Sequence, residues 1–124
     1  MQMIETDKAP KAIGPYSQAI KYENLLFISG QIAIDPKTQQ FIGGTVEEQT
    51  ELIMKNIGAI LEEAGLNYNH VIKTTIYLVN MDDFQKVNGV YGRYFTEHKP
   101  ARATVAVSAL PKGALVEIEA VAGI

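Results

Sequence analysis

The chain contains no cysteine, which removes disulfides, thiolate nucleophiles and thiolate metal sites together and fits a reducing compartment. Histidine is scarce too. His70 and His98 are the only two; they stand far apart, at a predicted strand start and in a predicted loop, without metal-ligand spacing, so no metal is expected. Positive charge is not concentrated anywhere: the 11 Lys and Arg residues are scattered and the formal net charge is −3, which disfavours a nucleic-acid groove or a membrane-surface patch. No apolar run is long enough to span a bilayer, and Met1-Gln2-Met3-Ile4-Glu5 lacks the basic end and apolar stretch of a secretory leader, so a cytoplasmic protein is expected. Gly-x-Gly-x-x-Gly, phosphate-binding Gly-Lys-Ser/Thr and Gly-x-Ser-x-Gly signatures are missing as well, which argues against dinucleotide, nucleotide and serine-hydrolase chemistry. Any reaction is expected to be cofactor-free and chemically easy.

What is present reads as one domain, 1–124, too short for two independent cores. A short first strand at about 2–5 gives way to a loop with Pro10, Gly14 and Pro15. Residues 17–22 and 25–29 flank Glu23-Asn24 as a hairpin, with Asn24 suited to the positive φ of a tight turn. The second arm, Leu25-Leu26-Phe27-Ile28, is apolar on both sides, as for a central strand covered on both faces. Thr45-Val46-Glu47-Glu48 spells a capping box, and Val46, Ile53, Ile57, Ile60, Leu61 and Ala64 follow at helical spacing until Gly65 stops the helix. A β-branched strand over 70–79, a second helix over roughly 82–95, and strands over 102–108 and 116–121 around Pro111-Lys112-Gly113 complete the chain. The order predicts an α+β fold, one sheet with both helices on one face. Its strands are too apolar for the other face to stay wet, so a homo-oligomer is expected to cover it.

Arg102 is the most informative residue, one cation heading the apolar run Ala103-Thr104-Val105-Ala106-Val107. It must snorkel or meet an anion: either a structural ion pair with Glu117 or Glu119, or a carboxylate ligand gripped by the guanidinium fork. If its strand runs near the last one, Arg102 and one of those glutamates can flank a single pocket, the cation anchoring an anionic substrate and the carboxylate orienting water. Spacing leaves open which glutamate. Gly14-Pro15-Tyr16-Ser17 and Ser29-Gly30-Gln31 offer close backbone approach and a flat tyrosine wall, though two ordinary turns and a packed tyrosine are the plainer local explanation. Asn88 falls among apolar helix positions, where it can cap a backbone group or meet a partner chain.

Taken in order, Gly14-Pro15-Tyr16-Ser17-Gln18-Ala19, Leu26-Phe27-Ile28-Ser29-Gly30-Gln31, Val87-Asn88 with Tyr91 and Tyr94-Phe95, Pro100-Ala101-Arg102-Ala103-Thr104-Val105, and Val116-Glu117-Ile118-Glu119-Ala120-Val121-Ala122 resemble the Rid family, the reactive intermediate deaminases also called YjgF proteins. Each piece is weak and the full-length set is specific. The resemblance implies a chorismate-mutase-like α+β fold, one mixed β-sheet with two helices on one face, assembled as a homotrimer with sites in the clefts between subunits. It implies a cofactor-free deaminase that hydrolyses 2-imino acids, derived from enamines such as 2-aminoacrylate and 2-aminocrotonate, to 2-oxo acids and ammonia. Carried across, Arg102 clamps the substrate carboxylate, Tyr16 lines the pocket and Glu117 holds the attacking water, while Ser29, Gly30 and Asn88 match other pocket or interface positions. Thr104 stands where many relatives carry cysteine, a position whose role is expected to rest on backbone groups. A non-catalytic ligand-binding or chaperone-like trimer is the alternative, followed by a ribonuclease or translation inhibitor.

Overall fold

A computed structural model describes residues 1–124. Six strands make one mixed sheet, and their apolar periodicity decides which face the helices cover. β1 (Gln2–Ile4), β2 (Ala19–Tyr22) and β3 (Leu25–Gln31) form an antiparallel meander; β6 (Val71–Leu78), β7 (Ala101–Ala106) and β8 (Val116–Gly123) complete the order β1-β2-β3-β8-β6-β7. β8 runs antiparallel between β3 and β6, and β7 lies parallel to β6 at the edge. Between β3 and the first helix sits a hairpin that sequence periodicity did not reveal, β4 (Ile34–Asp35) with β5 (Gln40–Phe41), turned through Gln39 at φ 61.

Along β8, Val116, Ile118, Ala120 and Ala122 are buried while Glu117, Glu119 and Val121 are only partly so. That alternation assigns the first set to the helix-covered face. The helices are α1 (Val46–Glu63) and α2 (Phe84–Tyr91). Ile53, Met54, Ile57, Ile60 and Leu61 of α1 and Val87 and Tyr91 of α2 join the buried strand residues in one core. The other face stays open: Phe27 is 45% exposed and Val105 40%. Within one chain, β3 is therefore central but covered on one side only, and no element of this chain supplies the second cover expected for it. No helix is long and apolar enough to cross a membrane.

Local chemistry explains the helix ends. The Thr45 hydroxyl accepts from the Glu48 backbone N–H and the Glu48 carboxylate accepts from that of Thr45, each at 3.1 Å. At the other end Gly65 adopts φ 77, and the Leu66 N–H reaches back to the Leu61 carbonyl at 2.9 Å, an arrangement that glycine permits without a Cβ penalty. α2 is shorter than its apolar spacing predicts. After Tyr91 the Arg93 and Tyr94 N–H groups bond to Val90 and Tyr91 three residues back, so the chain tightens and turns Phe95 into the core beside Tyr91, ring centroids 4.8 Å apart. In the first hairpin the residue with positive φ is Glu23, at 54°, rather than Asn24. The turn places the left-handed residue first.

Gly58 of α1 packs against Tyr68, whose hydroxyl donates to the Met54 carbonyl at 2.7 Å. Burial, with Glu51 nearby, pushes that phenol up to about 12. A Cβ at position 58 would meet the Tyr68 Oη at 2.1 Å and Cζ at 2.8 Å. Gly58→Ala gains helix propensity of about 1 kcal/mol, but it must displace the ring and break its hydrogen bond. A net loss of about 1–3 kcal/mol is expected in a urea melt; an unchanged midpoint would show that Tyr68 relocates freely.

Candidate active site

Parallel register pairs Arg102 with Thr74 and Thr104 with Ile76. Thr74 and Ile76 are buried, so Arg102 and Thr104 share the helix-side face of the sheet, whereas Ala103 and Val105, beside Thr75 and Tyr77, share the open face. On α2, Phe84, Asn88 and Tyr91 recur at i, i+4 and i+7 and so form one stripe. All three reach the same guanidinium. Arg102 Nη1 donates to Asn88 Oδ1 at 2.8 Å, and its central carbon lies 5.4 Å from the Phe84 ring centroid and 5.2 Å from that of Tyr91. The expected ion pair with Glu117 or Glu119 is absent: β6 separates the two strands, and both glutamates project from the opposite face. Of the two roles open to Asn88 in sequence, the backbone cap is not the one it takes within this chain, where it accepts from Arg102.

A neutral amide does not cancel the guanidinium charge. Arg102 is exposed, and with Lys99 it lines a cavity of about 440 Å³ floored by Tyr91 and Phe95. The Tyr91 hydroxyl lies 2.7 Å from that of buried Thr74. Burial raises the Tyr91 phenol above its ordinary range, against smaller opposing effects of the Thr74 bond and the Arg102 charge, so the ring beside the arginine stays neutral. Nearby, the Thr104 hydroxyl is buried without a hydrogen-bond partner.

The second group of predicted residues gathers on the open face. Pairing between β3 and β8 shifts register between Ile28 and Gln31, so Ser29 and Gly30 fall at a bulge, a device that re-aims side chains. Ser29 is held there by its hydroxyl, which donates to the Ser17 carbonyl at 2.6 Å, and by its N–H on the Gln18 carbonyl at 3.0 Å. Gln18 in turn fastens the preceding loop, accepting from Thr6 N–H at 2.7 Å and donating to Pro10 O at 2.7 Å. Tyr16, Gly30 and Glu117 thereby line one cavity of about 400 Å³, together with Lys112. Glu119 turns away to accept a hydrogen bond from the Tyr77 hydroxyl. Geometry thus separates the two glutamates that spacing left equal.

Glu117 is half-buried, and burial, reinforced by the negative charge of Glu119, raises its carboxyl above the usual range. Such a carboxyl exchanges protons closer to neutrality than a surface glutamate. The histidines are occupied by the backbone: His98 Nε2 bonds to the Val71 carbonyl, and His70 Nδ1 accepts from the Asn67 N–H at 3.1 Å. In a single chain, then, the predicted site residues form two groups on opposite faces: Arg102, Asn88 and Thr104 by α2, and Tyr16, Ser29, Gly30 and Glu117 by the bulge. The sequence reading brings neither Phe84 and Tyr91 to Arg102 nor Lys112 to the Glu117 cavity. The i, i+4, i+7 spacing around Asn88 was the available signal for the former.

The family model described as Endoribonuclease L-PSP matches residues 6–124. A RutC family protein of Pyrococcus horikoshii is 58% identical over 121 residues, covering 98% of this chain and 96% of the relative. The 2-iminobutanoate/2-iminopropanoate deaminase of Mus musculus is 49% identical over 121 residues, covering 98% of this chain and 90% of that protein. Among solved structures, RidA from an Antarctic Psychrobacter has a TM-score of 0.96 at 46% identity, with 100% of both chains covered.

Proposed function

Because the chain belongs to the Rid family, also called YjgF or RutC, we propose that it hydrolyses 2-imino acids to 2-oxo acids and ammonia, a reading supported by its similarity to a mouse protein named 2-iminobutanoate/2-iminopropanoate deaminase. The observation that carries this reading is Arg102: a guanidinium anchored on a neutral amide, exposed beside a cavity, with N–H groups left for a carboxylate. The reaction asks little of a protein. Water adds to the electrophilic C=N carbon, a proton passes to nitrogen, and the tetrahedral adduct collapses to the 2-oxo acid as ammonia leaves. Orientation of substrate and water supplies most of the gain. Glu117, its carboxyl raised by burial, takes the water proton and returns one to the leaving nitrogen.

The two groups of residues lie on opposite faces of one sheet, so a complete site in this reading needs a second protomer. The open face, with Phe27 and Val105 exposed, favours the same arrangement. A homotrimer brings the Arg102 group of one subunit to the Glu117 group of its neighbour, in clefts between subunits.

The test couples a threonine or serine dehydratase to the protein and follows loss of the imine. Accelerated loss is expected, and Glu117→Gln is expected to slow it by about 10²–10⁴-fold. The sign of the pH dependence follows from the raised carboxyl. Its ionised form, the base, is lost as pH falls through a value above the ordinary carboxylate range, so the acid limb of kcat sits high for a glutamate and disappears in the glutamine variant. No acceleration by the wild type, with binding of a 2-oxo acid intact, would favour a ligand-binding trimer; cleavage of RNA equal in wild type and Arg102→Ala would mark a contaminant.

A further inference from the structure

An arginine on an exposed edge strand has many rotamers, yet bidentate capture of a carboxylate needs its fork in one plane. We infer that Phe84 and Tyr91 are positioning residues for substrate, holding the Arg102 guanidinium in its binding plane against their ring faces. This rests on the deaminase reading above and adds to it the device that aims the clamp. Asn88 fixes one edge of the fork at 2.8 Å, and the two rings, 5.4 and 5.2 Å from the guanidinium carbon, restrict what rotation remains. The rings are themselves held. Phe84 packs partly buried against the core, and the Tyr91 hydroxyl bonds to Thr74, the residue in register with Arg102 on the neighbouring strand. Helix and sheet thus set the orientation jointly, and the outward edge of the fork is left for ligand.

Steady-state imine hydrolysis and calorimetric titration with 2-oxobutanoate, run on the full chain, test the assignment. Phe84→Leu keeps apolar bulk but removes the π face. It is expected to raise KM, and the Kd for 2-oxobutanoate in parallel, about two- to fivefold with kcat unchanged, the range of an exposed cation–π contact. Phe84→Tyr restores both values. Tyr91→Phe keeps the ring and frees its tilt, and a smaller rise in the same two constants is expected. If Phe84→Leu leaves KM and Kd at wild-type values, or lowers thermal stability and kcat without moving them, the positioning role is wrong while the deaminase reading stands. If the wild type neither hydrolyses imines nor binds the 2-oxo acid, both fall.

Discussion

Replacing Arg102 by alanine is expected to cut kcat/KM for 2-imino acids by about 10²-fold or more, about 3 kcal/mol, with the fold intact. The size follows from the chemistry of the clamp. In the proposed clamp two charge-assisted hydrogen bonds to a carboxylate are lost together, and nothing else on that face of α2 offers a planar fork. Stability should change by no more than about 1 kcal/mol, because the side chain is exposed and its contacts are one amide and two ring faces. Arg102→Lys restores the charge without the geometry and is expected to recover little. Kinetics read beside a thermal melt decide the matter: full activity in the alanine variant would remove the clamp from the mechanism.

Gly30→Ala should give the converse of an ordinary core lesion, a stable protein with its chemistry impaired. A Cβ there would lie 2.4 Å from Glu117 Oε2 and 2.9 Å from its Cδ, closer than any real contact. Gly30 does not occupy the left-handed region, so alanine costs the backbone little and restricts the unfolded chain. The carboxylate is the flexible end, so the carboxylate moves. With Glu117 in its proposed role, a displacement of about 1 Å can cost about 10²-fold in rate, and a loss of that order in kcat, with the melting temperature within a few degrees of wild type, is expected. Wild-type kcat in this variant would mean that the glycine does not set where Glu117 sits.

Local signals carried the parts of the fold that local chemistry determines. Thr45, Glu48 and Gly65 announced both ends of α1 because capping hydrogen bonds involve neighbours in sequence. The β4–β5 hairpin escaped because strands of two residues have no period to read. The candidate site could be listed residue by residue from the sequence but not arranged in space. Alternation correctly grouped Arg102 with Thr104, and Glu117 with Glu119, yet which group faced the helices depended on β6 entering between β7 and β8, a long-range pairing. Glu117 and Glu119 share a face and differ in what their carboxylates meet: the Gly30 bulge for one, the Tyr77 hydroxyl for the other. Phe84 and Tyr91 look like core residues in sequence because Tyr91 is one and Phe84 packs partly buried against it, and contact with Arg102 is an additional use of the same rings.

The central place of β8 also bears on how the protein assembles and opens. β8 joins the β1–β3 meander to the β6–β7 pair, with registers as distant in sequence as Leu25 with Gly123. Folding must therefore close a very long loop before the two half-sheets share a single hydrogen bond, which places the chain among the slower small domains. Once closed, the ladder cannot release this strand without parting the whole sheet, so the amide protons of β8 should exchange with solvent only through global opening.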